Sequence, residues 1–251
     1  MDKKLLVIMG NVSDSLIIIT FGICVFIFGL YLFKKKRLIE DIPTSKIRSI
    51  AMGLVEIYGK IVPADKILTS PFTQKNCVYY RYLIERLENS GKSSKWVKIK
   101  EGEDRTLFYL QDETGKVLVD PKGAEIDIPP SFEFTSGIGK DPPQQIKNFL
   151  QANKISFEGF LGINKTMRFR EYILEPNNNL YIMGTAGDNP FMEEGWAQTG
   201  IEDVMIQKGE NIYYISDKSE KEVVKRLGWQ SVLSILGGAL LIVFGVLNLL
   251  K

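Results

Sequence analysis

The sequence predicts a mainly β fold, an antiparallel barrel or sandwich with minor helices, between two transmembrane α-helices. Two blocks without a charged residue, residues 16–33 and 231–250, are long enough to cross most of a hydrocarbon core of about 30 Å. Between them, short runs rich in β-branched and aromatic residues alternate with turn signals. We therefore divide the chain into a short tail (1–15), a first span (16–33), a β domain (43–227) and a second span (231–250).

The first apolar block is expected to be a retained anchor. It reads LIIITFGICVFIFGLYLF, with Thr20 as its only strongly polar residue. Basic residues follow it directly, where a cleaved signal peptide would have small residues. The second block is preceded by Trp229, whose indole ring suits the headgroup layer. Both blocks therefore predict contact with a lipid bilayer.

Basic residues next to the spans predict the orientation of the protein. The outer ends of the two spans have only Lys3, Lys4 and Lys251. The ends that lead into the β domain have Lys34, Lys35, Lys36, Arg37, Lys218, Lys221, Lys225 and Arg226. The positive-inside rule then predicts a two-pass protein with a cytoplasmic β domain and both termini outside. Lys221, Lys225 and Arg226 could also bind anionic headgroups, and this second interpretation stays open.

Small residues recur along one face of each predicted span. They are Gly22 and Gly29 in the first, and Ser234, Gly238 and Gly245 in the second. Small residues let helix backbones approach closely in lipid, so these five could pair helices within the chain or in a homo- or hetero-oligomer. The alternative is that glycine is simply frequent in membrane helices.

Seven segments of the central region have strand-like patterns: residues 50–62, 77–87, 96–100, 106–111, 116–119, 166–174 and 180–183. Residues 112–115 (DETG) predict a hairpin in which Gly115 takes a positive φ. The asparagine-rich residues 175–179 predict a second hairpin.

Two short helices are also expected. One follows the prolines at 142 and 143, with Asp141 supplying a cap. The other is a short amphipathic helix that begins at a capping box of Ser219 and Glu222 and leads into the second span.

The composition excludes much catalytic chemistry. The 251 residues contain no histidine and only two cysteines, so they cannot form a Cys/His zinc cluster, a Ser-His-Asp triad or a Cys-His dyad. The net charge of +2 gives no reason to expect nucleic acid as a partner. Cys77 is interpreted as a structural thiol, and the glycines near Lys92 and Lys140 as turns. No catalytic, metal or cofactor-binding residue is predicted.

One loop segment stands out as a candidate partner-binding site. Residues 187–196 (GDNPFMEEGW) place Phe191, Met192 and Trp196 among turn residues. Large apolar side chains on a loop can anchor a protein partner, and they can equally fold back and close the end of a barrel. Both interpretations stay open at this stage.

Several segments resemble, in order, the GIDE or "beside-a-membrane" domain of the MULAN/MAPL mitochondrial ubiquitin ligases and their prokaryotic relatives. The matching segments are residues 53–64 (GLVEIYGKIVPA), 68–85 (LTSPFTQKNCVYYRYLIE), 96–100 (WVKIK), 108–126, 180–186 and 212–227. The layout of helix, domain and helix is similar as well. In those ligases the domain lies in the intermembrane space, whereas the local charges here predict the cytoplasm.

The resemblance does not bring the ligase chemistry with it. In the ligases a RING finger after the second helix recruits the ubiquitin-charged conjugating enzyme. The 251 residues offer two cysteines and no histidine, far fewer than the eight zinc ligands of a RING. We therefore expect a non-catalytic module that binds a protein or a membrane. The alternatives are a component of a ubiquitin-like conjugation pathway whose RING is on another chain, and a structural subunit of a membrane complex.

Overall fold

A computed structural model describes residues 3–91, 93–159, 164–191, 203–210, 212–218 and 220–250. The chain forms two compact units, one made of the terminal helices and the other of residues 44–217. The helices are α1 (Lys3–Glu40), α2 (Gln144–Ala152) and α3 (Glu220–Leu249). The strands are β1 (Gly53–Pro63), β2 (Leu68–Thr69), β3 (Asn76–Cys77), β4 (Tyr79–Ser90), β5 (Ser93–Arg105), β6 (Phe108–Gln111), β7 (Lys116–Val119), β8 (Glu125–Asp127), β9 (Phe132–Ser136), β10 (Met167–Leu174), β11 (Asn179–Asp188), β12 (Val204–Gln207) and β13 (Tyr214–Ser216).

The terminal helices α1 and α3 are long and apolar enough to cross a membrane. Each is longer than its apolar block: α1 already begins at Lys3, in the segment expected to be a tail. The expected short amphipathic helix is the first part of α3, because the helix continues without a break from Glu220 to Leu249. Ser219 of the predicted capping box lies outside the described residues. Large apolar side chains such as Phe21, Phe28, Leu240 and Phe244 are exposed, as a lipid-facing surface requires.

Glycines lie where α1 packs against α3. A Cβ atom at Gly29 would lie 2.7 Å from the Ile235 side chain, and one at Gly238 would lie 2.6 Å from the backbone nitrogen of Phe26. Gly22 and Gly245 face Ile242 and Ile19 at similarly short distances. These glycines, which the sequence marked as helix-packing residues, therefore let the chain's own two helices approach closely.

A closed five-stranded barrel forms the centre of the β domain. Its strands neighbour one another in the order β1-β6-β7-β12-β11, and β11 pairs again with β1. All pairs are antiparallel except β7–β12. Numbered along the chain, the ring order is 1-2-3-5-4-1, which is the connectivity of the OB-fold barrel. Strands β13 and β8 extend the sheet beyond β11.

The barrel closes because β1 changes partner along its length. Gly53 to Lys60 pair with β11, and Lys60 to Pro63 pair with β6. A Cβ atom at Gly59, beside this change, would overlap the carbonyl oxygen of Gln111. Only glycine allows the two backbones to approach this closely. Inside, alternate residues of the five strands fill a single apolar core, including Ile57, Ile61, Phe108, Leu110, Val119, Ile182 and Ile206.

A second, four-stranded sheet has the order β5-β4-β10-β9 and is entirely antiparallel. Its strands come from the long connections between β1 and β6 and between β7 and β11. Helix α2 packs Ile146 and Leu150 into a separate core with Phe72, Ile84 and Phe169 of this sheet and its loop. The mainly β fold class with a barrel and minor helices is therefore confirmed.

The hairpin predicted at residues 112–115 is confirmed, but its mechanism is different. Strands β6 and β7 pair on either side of it. Gly115 is not among the glycines with positive φ. Instead, the Asp112 carboxylate accepts hydrogen bonds from the backbone N–H of Thr114 at 2.6 Å and of Gly115 at 3.0 Å. An Asx turn therefore shapes the loop, and the expected positive φ at Gly115 was wrong.

Two further local predictions need correction. Residues 175–179 do not close a hairpin, because β10 and β11 belong to different sheets and do not pair. The asparagine-rich turn carries the chain from one sheet to the other, with Asn177 at φ 68°. The helix after the prolines is confirmed as α2, but Asp141 does not cap it. Its carboxylate binds the amino group of Lys147 at 2.5 Å and the amide of Asn164 at 2.6 Å.

Replacing Asp112 with Ala should lower the free energy of unfolding by about 1–2 kcal/mol at neutral pH, because its turn donors lose their acceptor. Burial acts to raise the pKa of Asp112, but hydrogen bonds from the Ile47, Thr114 and Gly115 backbone outweigh it and lower the pKa. The stabilisation is therefore present above the unfolded pKa of about 3.9 and is lost as the pH falls through the folded value.

Denaturant unfolding of the full chain in detergent at several pH values measures this. Gly115→Ala is the matched control in the same turn, because its Cβ would meet only the Ile47 side chain at 3.6 Å. That variant should be close to wild type. Equal losses for both variants, or none for Asp112→Ala, would contradict the Asx-turn account.

Candidate functional site

The connection between β11 and β12 contains Phe191, Met192 and Trp196, the candidate partner-binding residues of the sequence analysis. At its base, the backbone N–H of Asn189 donates to the carbonyl of Asp203 at 2.8 Å, and the N–H of Phe191 donates to the Asn189 side chain at 3.1 Å. Phe191 is 65% exposed, so its ring is not part of the barrel core. Met192 and Trp196 lie outside the described residues. Phe191 is thus an apolar side chain presented to the surroundings on a polar loop.

A polar cleft of about 390 Å³ lies beside the point where β1 changes partner. Tyr58 and Lys60 of β1 line it, together with Gln111 and the loop that follows, and Asn177 and Asn179 of the β10–β11 turn. Tyr58 is 42% exposed. The carboxylates in the cleft are engaged: Asp112 holds its turn, and Glu113 pairs with Lys46. The cleft offers the Lys60 amino group and several amide groups around the Tyr58 ring, a feature that sequence reasoning missed.

Cys77 is the single cysteine of the β domain and is fully buried on β3. Its thiol contacts the carbonyl oxygen of Leu68 at 3.8 Å. Burial, and then the negative charges of Glu171, Glu175 and Asp104, raise the pKa of the Cys77 thiol to about 12. A thiol that is protonated and enclosed at neutral pH is a poor nucleophile and a poor acceptor of a transferred acyl group.

Glu171 is a fully buried carboxylate on β10. It accepts hydrogen bonds from the backbone N–H of Phe72 at 2.6 Å and of Thr73 at 3.1 Å, and from the hydroxyls of Ser70 and Thr73. The carboxylate therefore fixes the loop between β2 and β3 to the second sheet. Its role is structural positioning, since all these partners are donors of one loop.

Glu85 lies on the face of the second sheet that is turned away from α2, where it joins a charged cluster. Its carboxylate accepts from Arg168 at 2.8 Å and Arg170 at 2.6 Å, and Arg168 lies 4.4 Å from the ring centre of Trp96. Burial acts to raise the pKa of Glu85, but the two arginine hydrogen bonds outweigh it and lower the pKa. The cluster holds one carboxylate and two guanidinium groups, so it keeps a net positive charge while Glu85 links β4 to two residues of β10.

No group of three or more His, Cys, Asp or Glu residues is placed to hold a metal ion within the part of the chain that the structure describes. The basic residues predicted to flank the membrane lie at the end of α1 and in the first turns of α3. Among them, Lys36 forms an ion pair with Glu40 at 2.8 Å, and Arg37 lies over the Phe33 ring. Both contacts join residues of α1, so neither indicates a ligand for these basic side chains.

Comparison with known proteins identifies the family. A family model described as "GIDE: E3 Ubiquitin ligase" matches residues 80–249, about two thirds of the chain. Neither a curated protein nor a solved structure is similar enough to count as a match. The matched range includes most strands of the barrel, all of the second sheet except Tyr79, and all of α3. The chain therefore belongs to the GIDE family of E3 ubiquitin ligases.

Proposed function

We propose that this protein is a membrane-anchored GIDE module that binds a partner through its β domain and performs no transfer chemistry of its own. The observation that carries the lack of transfer chemistry is the burial of the Cys77 thiol and its raised pKa. A thioester-forming ligase needs an accessible, ionisable thiol, and Cys77 is enclosed with its pKa raised to about 12. A RING-type ligase needs zinc ligands, and the 251 residues contain two cysteines and no histidine.

The exposed Phe191 supports a binding role. Residues that dominate binding at interfaces are commonly large side chains, and Phe191 is 65% exposed in a segment that also contains Asp188 and Asn189. The two apolar helices support a bilayer as the second partner. Phe191, Met192 and Trp196 together remain our proposed protein-binding site.

The family description favours a second candidate. A GIDE protein could position a substrate for a conjugation pathway of the ubiquitin type, with the RING supplied by another chain. The two candidates differ in the partner that Phe191 contacts. A RING or ubiquitin-like protein would indicate the pathway component, and another membrane protein in fixed ratio would indicate a structural subunit.

The binding role predicts a specific photocrosslink. A photoreactive phenylalanine analogue at position 191 of the full chain should give one discrete protein adduct in cells. Ile67 is the matched control, because it is also apolar and 43% exposed on the β domain. Phe191→Ala should weaken binding of the captured partner roughly thirtyfold, as loss of about 2 kcal/mol implies, without lowering the melting temperature.

A protein adduct at both positions, or at neither, would contradict the proposed site. A lower melting temperature for Phe191→Ala would instead assign the ring to the domain's own packing.

We also propose that the β domain is cytoplasmic and both termini lie outside, because basic residues concentrate where α1 ends and α3 begins. Ser13→Cys should react with an impermeant maleimide on intact cells, whereas Ser93→Cys should react only after lysis. Cys24 is replaced in this background, and buried Cys77 can stay. The reverse labelling pattern would overturn the orientation and agree with the intermembrane-space location of the eukaryotic relatives.

A further inference from the structure

Strand β5 forms one edge of the second sheet. It is 13 residues long and, within the described ranges, pairs only with β4. An edge strand has backbone donors and acceptors on its open side, and these can pair with another strand. An edge of this length can therefore pair with a strand of another chain unless other features of the protein block that pairing.

The charges of β5 are separated along its length. The first half contains Lys95, Lys98 and Lys100. The second half contains Glu101, Glu103 and Asp104 and ends at Arg105, whose guanidinium forms an ion pair with Glu103 of the same strand. If two copies of β5 lie antiparallel, the basic half of each faces the acidic half of the other. The strand is therefore complementary in charge to a second copy of itself.

A β-bulge determines which residues of the two copies can face each other. Opposite β4, Ile84 pairs with Lys100 and Glu85 pairs with Lys98, so Ile99 is the extra residue. Because of this shift, Lys98 and Glu101 lie on the same face and form an ion pair at 2.7 Å. Lys100 lies on the opposite face, where its amino group donates to Asn153 at the end of α2.

Residues directly opposite in an antiparallel pair share a face. Even-numbered residues before the bulge share a face with odd-numbered residues after it. When the segment of β5 before the bulge lies opposite the segment after the bulge in a second copy, each even-numbered residue must therefore lie opposite an odd-numbered one. The register that sets Lys98 opposite Glu101 also sets Lys95 opposite Asp104. Each match joins opposite charges that share a face, the first on the face of Glu85 and the second on the face of Lys100.

We propose that β5 pairs antiparallel with β5 of a second copy of this chain, about a two-fold axis between Ile99 and Lys100. The pairing joins two four-stranded sheets into one of eight strands. The two-fold axis repeats each Lys–Glu and Lys–Asp pair, giving an isologous contact. The existing Lys98–Glu101 pair is exposed, so exchanging it for the same pair between copies costs little. This inference does not depend on the proposed function.

Charge-reversal variants of the full chain test the pairing by light scattering in detergent micelles. Wild type should be dimeric. An acidic variant (Lys95→Glu with Lys98→Glu) and a basic variant (Glu101→Lys with Asp104→Lys) should each dimerise about tenfold or more weakly, because like charges then face each other. An equimolar mixture of the two variants should dimerise again, since every facing pair regains opposite charges.

Lys66→Glu with Lys122→Glu is the control, because both residues are exposed and lie outside β5. It should stay dimeric, and melting curves should show that all variants are folded. A wild type that is monomeric at every concentration would overturn the proposal, and the bulge and charges would then serve to keep the edge unpaired. Dimers of each reversed variant alone would also overturn it and would place the contact elsewhere, for example on the helices.

Discussion

The β domain depends on one close backbone contact, between Gly59 of β1 and the carbonyl of Gln111 at the end of β6. Strand β1 pairs with β11 along most of its length and with β6 at its end, and this double pairing closes the barrel. A side chain at position 59 would overlap the Gln111 oxygen and separate the strands. Closure matters because it removes exposed sheet edges from the barrel and encloses one continuous apolar core.

The other features of the domain are built on connections that leave this barrel. The β1–β6 and β7–β11 connections form the second sheet, and the β11–β12 connection presents Phe191. The polar cleft lies beside Gly59, next to the point where β1 changes partner from β11 to β6. Two carboxylates hold the second sheet in place: Glu171 fixes the loop before β3, and Glu85 binds two arginines of β10. The OB-type connectivity does not itself assign a ligand, because one fold supports many functions.

Much of the architecture could be predicted because its signals are local. The two apolar spans, the β6–β7 hairpin and α2 each depend on residues that are neighbours in the chain. The parallel partners β7–β12 and β8–β13 could not be predicted, because pairing between distant short strands leaves no local pattern. For the same reason, residues 175–179 had the composition of a hairpin turn although they join two different sheets. Strand β5 was underestimated, since its charges and Gly102 interrupt the strand pattern.

At the candidate site, too, features with a local sequence signal could be predicted and features built from distant residues could not. The apolar loop residue Phe191 was found because it is unusual in a polar segment, whereas the polar cleft was missed because it combines residues from three distant segments. Glu171 did have a signal in the sequence. It alternates with Met167, Phe169 and Ile173, which places a carboxyl group on an apolar strand face and predicts a buried side chain that needs hydrogen-bond donors.

We propose that this GIDE protein binds a partner and is anchored in a membrane, without transferring ubiquitin through its own residues. The most direct measurement is the discharge rate of a ubiquitin-loaded conjugating enzyme with the full chain in lipid nanodiscs. The rate should be the same with and without the chain, because Cys77 is a buried thiol with a raised pKa and two cysteines without a histidine are too few ligands for a zinc-bound RING. Faster discharge, or a ubiquitin thioester that disappears in Cys77→Ser, would contradict the account.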